Sequence, residues 1–156
     1  VLPRSGSASA ALAELRERKE EILQTLEFRG IVESHAAALA AKRRHTSHLE
    51  ELEEMQERLL KAKTLDEARQ ADTAFHAILA RASGNELLEK SIEDARVLMF
   101  GATDQTFFEF RTRASYEGHG LVLEAIRAED SQAAAEKMRE HVATTVEEFE
   151  HLIADS

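Results

Sequence analysis

An all-α fold, an antiparallel bundle of six or seven helices, is predicted by three observations in this 156-residue sequence. Apolar residues recur at helical spacing from about residue 10 to the end, and no segment alternates with period two for long enough to form a strand. Leu, Ala, Glu and Arg, all good helix formers, dominate, and the single proline is Pro3. The breaks between periodic stretches are short, which favours antiparallel neighbours.

In chain order, residues 1–9, "VLPRSGSAS", carry proline, glycine and three serines and read as an interdomain linker. A start without an initiator methionine points to a piece of a longer protein. Helices are expected over 10–27 and 28–44, then over 47–62, with Thr46 or Ser47 as the N-cap in "HTSHLEE". The next, 65–83, opens on Thr64 with Glu67 three residues later, a capping box. Gly84 ends it and Asn85 starts 86–102. "FGATDQTFFEFRTRAS" (100–115) is the least regular stretch, with a helix over 112–128 beyond. The last helix, 131–154, follows a break at Asp130–Ser131. No repeat of solenoid period occurs.

Charge and composition exclude several functions. Asp and Glu outnumber Lys and Arg 30 to 20, a net charge of −10, whereas binding a polyanion is driven by Lys and Arg displacing counterions. The one dense basic cluster, "AKRRH" (41–45), runs straight into "LEELEEMQE" and reads as a solvated face. With no cysteine there is no disulfide, thiolate ligand or Cys nucleophile, which fits a cytoplasmic protein. No apolar run approaches the roughly 20 residues of a membrane span, and no signal peptide opens the chain.

The histidines carry the chemistry. At about 100° per residue, Asp72 and His76 lie within roughly 40° of each other. They flank a stripe of Ala71, Phe75, Ile78, Leu79 and Ala82. His119 falls among Val122, Leu123 and Ile126, and His141 beside Ala134, Met138, Thr145 and Leu152. His35 leans towards Ile31 and Leu39 as an ordinary buried histidine, whereas His45, His48 and His151 sit in polar surroundings. Taken singly, an inward histidine is more often a hydrogen-bonded core residue than a ligand. Three of them with one carboxylate on separate helices fit a shared divalent cation, which offsets the desolvation of burying so many polar groups. Imidazole nitrogens with one carboxylate suit zinc, nickel, iron or manganese and disfavour calcium.

These residues resemble a known family. "DTAFHAILARASGN" (72–85) looks like the D-x-x-F-H…A-S-G-N signature of FCD domains, the effector-binding domains of the FadR subfamily of GntR transcription regulators. "LEFRGIVESHAAALAAKRR" (26–44) resembles the E-x-R…E…A-x-L-A-A segment of the opening helix. "GHGLVLEAIRAEDSQAAAEKMREHV" (118–142) is similar to the segment near the end. One departure is Gly118, which stands where the family usually has Glu; with Gly120 it is expected to loosen the start of that helix.

The resemblance implies a helical bundle with a central ligand and metal cavity over 10–156. It implies a metal, zinc first, on Asp72, His76, His119 and His141. Arg29 matches the pocket arginine of E-x-R, and Arg96 stands where the following helix often supplies another cavity cation. With Glu33 they form the expected effector-binding set, although Arg29 and Glu33 also fit an ordinary i,i+4 surface pair. The expected function is regulatory, not enzymatic: a bacterial regulator domain binding a small organic acid. One acid oxygen would enter an open coordination position while Arg29 grips the carboxylate as a planar fork. The family further implies a homodimer that meets DNA only through a winged-helix domain absent from this chain, with no membrane contact. Two alternatives stay open. One is a metal-dependent hydrolase, for which Glu33 is the sole nominee as general base; the other is a helical interaction module without metal.

Overall fold

The computed structural model describes residues 5–99 and 108–154. Seven helices make up the described residues: α1 Ser5–Glu17, α2 Lys19–Arg43, α3 Thr46–Lys61, α4 Leu65–Ala82, α5 Glu86–Met99, α6 Phe108–Arg127 and α7 Ser131–Ala154. They form the antiparallel all-α bundle that the periodicity predicts, with no strand among the described residues. The irregular segment expected from residue 100 falls partly on 100–107, outside the described residues.

Three boundaries differ from expectation. The break placed between residues 27 and 28 does not exist, and α2 runs unbroken from Lys19 to Arg43. Its buried stripe, Ile22, Leu26, Arg29, Glu33, Ala36, Ala37 and Ala40, continues through that point at helical spacing. Nothing at Glu27–Phe28 supplies a cap or a lost N–H. The discontinuity falls instead at Arg18, whose φ of −94° and ψ of 8° leave helical geometry. At the other end, α1 already begins at Ser5, inside the stretch read as linker, and α6 begins at Phe108 rather than residue 112.

The caps follow side-chain chemistry. Thr64 Oγ1 accepts from the Glu67 N–H at 3.2 Å, and Glu67 Oε2 accepts from the Thr64 N–H at 3.2 Å, closing the predicted capping box. Gly84 adopts φ of 66°, the left-handed conformation a residue with Cβ resists, and lets the chain leave α4. Asn85 Oδ1 then accepts from the N–H groups of Leu87 and Leu88. For α3 the expectation is corrected. Thr46 is its first helical residue, and the extended His45 precedes it, its N–H donating to His48 Nδ1 at 3.0 Å.

Helix α2 is the axis of the bundle, packing along α7 and touching α4, α5 and α6. Its alanines 36, 37, 40 and 41 are buried, and their short side chains let neighbouring helices approach closely. Around them close Leu26, Leu52, Phe75, Leu79, Ile92, Ile126 and Met138, all essentially without exposure. Each such side chain contributes on the order of 1.5–3 kcal/mol relative to exposure. Thr64→Ala removes one half of the α4 box. It is expected to lower stability by about 1 kcal/mol in urea denaturation, shifting the midpoint without changing the slope.

Candidate metal centre

Helical period decides which side chains meet. On α4 the buried positions Ala71, Phe75, Ile78, Leu79 and Ala82 face the core, so Asp72 and His76, one turn apart, project from that stripe's edge. His119 of α6 and His141 of α7 arrive from the facing helices. One ligand atom from each of Asp72, His76, His119 and His141 lies within 4.8 Å of the other three. His76 Nε2 and His119 Nε2 are 3.1 Å apart, and His119 Nε2 is 3.2 Å from Asp72 Oδ1. The three imidazoles are buried, while the Asp72 side chain keeps 19% of its exposure and forms the accessible edge.

A ring of charge surrounds the four. Glu33, fully buried on α2, places Oε2 2.6 Å from His76 Nδ1. On its other side it accepts from Arg29 Nε at 2.7 Å, with Arg29 Nη2 at 3.5 Å from the second oxygen. Arg96, from α5, pairs with Asp72 Oδ2. Phe75 stacks on His119, ring centroids 4.0 Å apart and planes at 1°.

The electrostatics follow from this pairing. Burial pushes the Glu33 carboxyl upward, but Arg29 and then His76 outweigh it and hold the group well below the usual carboxylate range. Asp72 behaves alike: burial raises it, and Arg96, together with the hydrogen bond to His119, brings it well down. For His76, burial and then repulsion from Arg96 prevail over Glu33 and Asp72, lowering its pKa to about 4. Burial, with His119 and His76 nearby, also takes His141 well below the ordinary histidine value. At neutral pH the set is thus two carboxylates with neutral rings at His76 and His141.

This donor set fits a divalent cation. In a tetrahedral site with bonds of 2.0–2.2 Å the ligand atoms lie about 3.4 Å apart, a spacing the 3.1 and 3.2 Å separations approach, and the widest, up to 4.8 Å, closes with a shift of about 1.4 Å. Neutral imidazoles are the ligating form, and a carboxylate behind the far nitrogen of His76 is the outer support that metal-bound histidines use.

Several expectations change. Arg29 and Glu33 do form the i,i+4 pair, but it is buried rather than on the surface. Glu33 faces His76 and Arg29, behind the cluster rather than on its open edge. His35 is exposed, not buried; so are His45 and His151, and His48 is half-buried. Sequence reasoning missed the Phe75 stack on His119 and the Arg96–Asp72 pair. The signal for Glu33 was available: Arg29 and Glu33 interrupt an otherwise apolar stripe on α2.

Fold and site together define an all-α helical domain built around a buried carboxylate–imidazole cluster. The profile described as "FCD domain" matches residues 24–144, and the chain belongs to that family. It is 32% identical over 143 residues to the "HTH-type transcriptional regulator LutR" of Bacillus subtilis (strain 168), covering 87% of this chain. The chain spans 65% of the length of LutR. Its fold is similar to that of the solved structure "E. coli McbR/YncC", with a TM-score of 0.71 and 22% identity, over 85% of this chain and 66% of that one.

Two outcomes follow. Glu33→Gln leaves the Arg29 guanidinium buried without its counter-charge, at a cost of about 3 kcal/mol. Thermal unfolding should therefore fall by about 6–12 °C, and pairing Arg29→Met with Glu33→Leu should recover much of it. In chelator-treated protein, Glu33, Asp72, His76 and His141 all hold protons less readily folded than unfolded. Stability is therefore complete above the ordinary histidine value of 6.5 and lost as pH falls, first from 6.5 towards about 4 as unfolded histidine charges. The carboxylates add to the loss below 4.5. Calorimetry should show Tm level near pH 7–8 and declining on acidification; a rise contradicts this.

Proposed function

We propose that this chain is the effector-binding domain of a GntR-family, FadR-subfamily transcription regulator, holding a divalent transition metal and sensing a small organic acid. The observation that carries the reading is the convergence of Asp72, His76, His119 and His141 from three helices, with Arg29 and Arg96 buried beside them. Zinc suits this nitrogen-rich set first, and nickel, manganese or iron are compatible. When bound, the ion supplies a Lewis-acid position for an anionic oxygen.

This chain's residues do the rest. A divalent cation, two arginines and the two carboxylates of Asp72 and Glu33 sum to about +2, a local basin for an anion inside a protein of net charge −10. Arg29 already lends its Nε edge to Glu33, so its part is charge more than grip. Arg96, itself buried, holds Asp72 at the accessible edge, and exchanging Asp72 for the acid's carboxylate is the step it can make. That exchange loosens the tie between α5 and α4, so an acid favours one arrangement of these helices over another. In a homodimer carrying winged-helix domains outside this chain, such a shift alters DNA binding.

A hydrolase is the weaker reading. Glu33, its one candidate base, has Arg29 against both oxygens and His76 against one of them and is held well below the usual carboxylate range. A general base works best near the operating pH.

Elemental analysis of protein purified without a metal-affinity tag should find about one transition metal per chain. His76→Ala and His119→Ala should each lower that content sharply, and the exposed His151→Ala should leave it intact. In thermal-shift titrations the metal-loaded protein should gain about 5–10 °C with its acid at a hundredfold Kd. Equal shifts with neutral sugars, or shifts indifferent to chelation, would overturn the sensing role.

A further inference from the structure

Helix α6 carries two glycines, Gly118 and Gly120, on either side of His119. Glycine is poorly suited to a helix interior, so each position invites a reason. A Cβ built on Gly120 would meet nothing closer than Gln56 Nε2 at 3.6 Å, an ordinary contact. A Cβ on Gly118 would stand 2.4 Å from His141 Nδ1, 3.1 Å from its Cγ and 3.3 Å from its Cβ. The severe contact is with the ring, while the Cγ and Cβ contacts need only a few tenths of an ångström. A buried ring has few alternative rotamers, so the His141 ring or α7 must shift.

We propose that Gly118 is a positioning residue for His141: by lacking a side chain it lets α7 close on α6 until the His141 ring reaches His119 and His76. The ring centroids stand 4.8 Å from His119 and 5.4 Å from His76, distances that an intervening methyl group on α6 would lengthen. The departure from the usual Glu at this position, expected to loosen the helix start, goes in this chain with a close approach of α7 to α6. Helix α6 is continuous through both glycines. The claim rests on the reading of the four residues as a metal site, yet its geometry is testable without one.

The test compares Gly118→Ala with Gly120→Ala, which changes the same helix by the same atom but meets no close neighbour. Zinc(II) affinity is read by competition with a chelating dye, and metal-free stability by urea denaturation. Gly118→Ala should weaken zinc binding by about tenfold or more, the scale seen when outer support of a ligand is lost. Gly120→Ala should bind as the unmodified chain does and be somewhat more stable. In the metal-free proteins, Gly118→Ala should destabilise the chain when His141 is present and not in a His141→Ala background, where the ring is gone. Should Gly118→Ala alone fail to fold, the double variant should fold, which reads the same coupling. Zinc binding by the unmodified chain with equal binding by Gly118→Ala overturns the positioning role and leaves the metal reading standing. No zinc binding by the unmodified chain removes the metal reading, and the His141 cycle then decides the positioning role alone. Additive effects of the two substitutions overturn it.

Discussion

The buried carboxylate of Glu33 is the interaction on which the centre of this bundle depends. It sits on the axial helix α2 without exposure, 2.7 Å from the guanidinium of Arg29 and 2.6 Å from the imidazole of His76 on α4. Removing an ion from water costs several kcal/mol even after relaxation, so Glu33 is tolerable only with both partners in place. Arg96 and Asp72 repeat the arrangement between α5 and α4. An apolar replacement of similar volume is often as stable or more so, which makes such a network a poor device for stability alone. Its presence in the middle of a bundle already lined with Leu, Ile and Ala is better explained by what it holds ready.

The same burial prepares the imidazoles. Taking His76 and His141 out of water, beside arginine and other histidines, favours their neutral forms, and the neutral ring is the one with a lone pair to give. Glu33 behind His76, and Phe75 flat against His119, restrict ring orientation at the two histidines whose Nε2 atoms approach to 3.1 Å. Desolvation, pairing and stacking thus act on one small set of atoms. Two arginines balance two carboxylates, so what the set has left to offer a cation is the lone pairs of its neutral rings.

Much of this was legible in the sequence because helical period is rigid. Asp72 and His76 four residues apart must share a face, and His119 and His141 fall among apolar neighbours, so their convergence needed only that the helices pack. What period does not carry is which helix becomes the axis. An Arg–Glu pair at i,i+4 reads the same on the surface and in the core, and only the position of α2 against α4, α5, α6 and α7 makes Arg29–Glu33 an interior pair. His35, on the same helix, shows the converse. Its neighbour Ile31 is 65% exposed, so an apolar residue one turn away did not mark a buried face. The false break near residue 27 has a related cause, since local propensity carried no signal there and the continuity of the buried stripe was the informative feature.

On the proposed reading, access is what separates a sensing centre from a catalytic one. The imidazoles and Glu33 are sealed, and the edge with measurable exposure is Asp72, held by Arg96. An incoming anion therefore meets an existing salt bridge between two helices before it meets the cluster. On the proposed reading, competing for Arg96 is the least costly way in, because it exchanges one carboxylate partner for another and keeps the buried guanidinium paired. Binding and helix rearrangement would then be one event. A catalytic site would gain from an open approach and a carboxylate titrating near neutrality, and neither Asp72 nor Glu33 has that character. The strength of the Arg96–Asp72 tie would then set the threshold an acid must exceed, so that on the proposed reading one pair would govern both selectivity and the size of the helix movement.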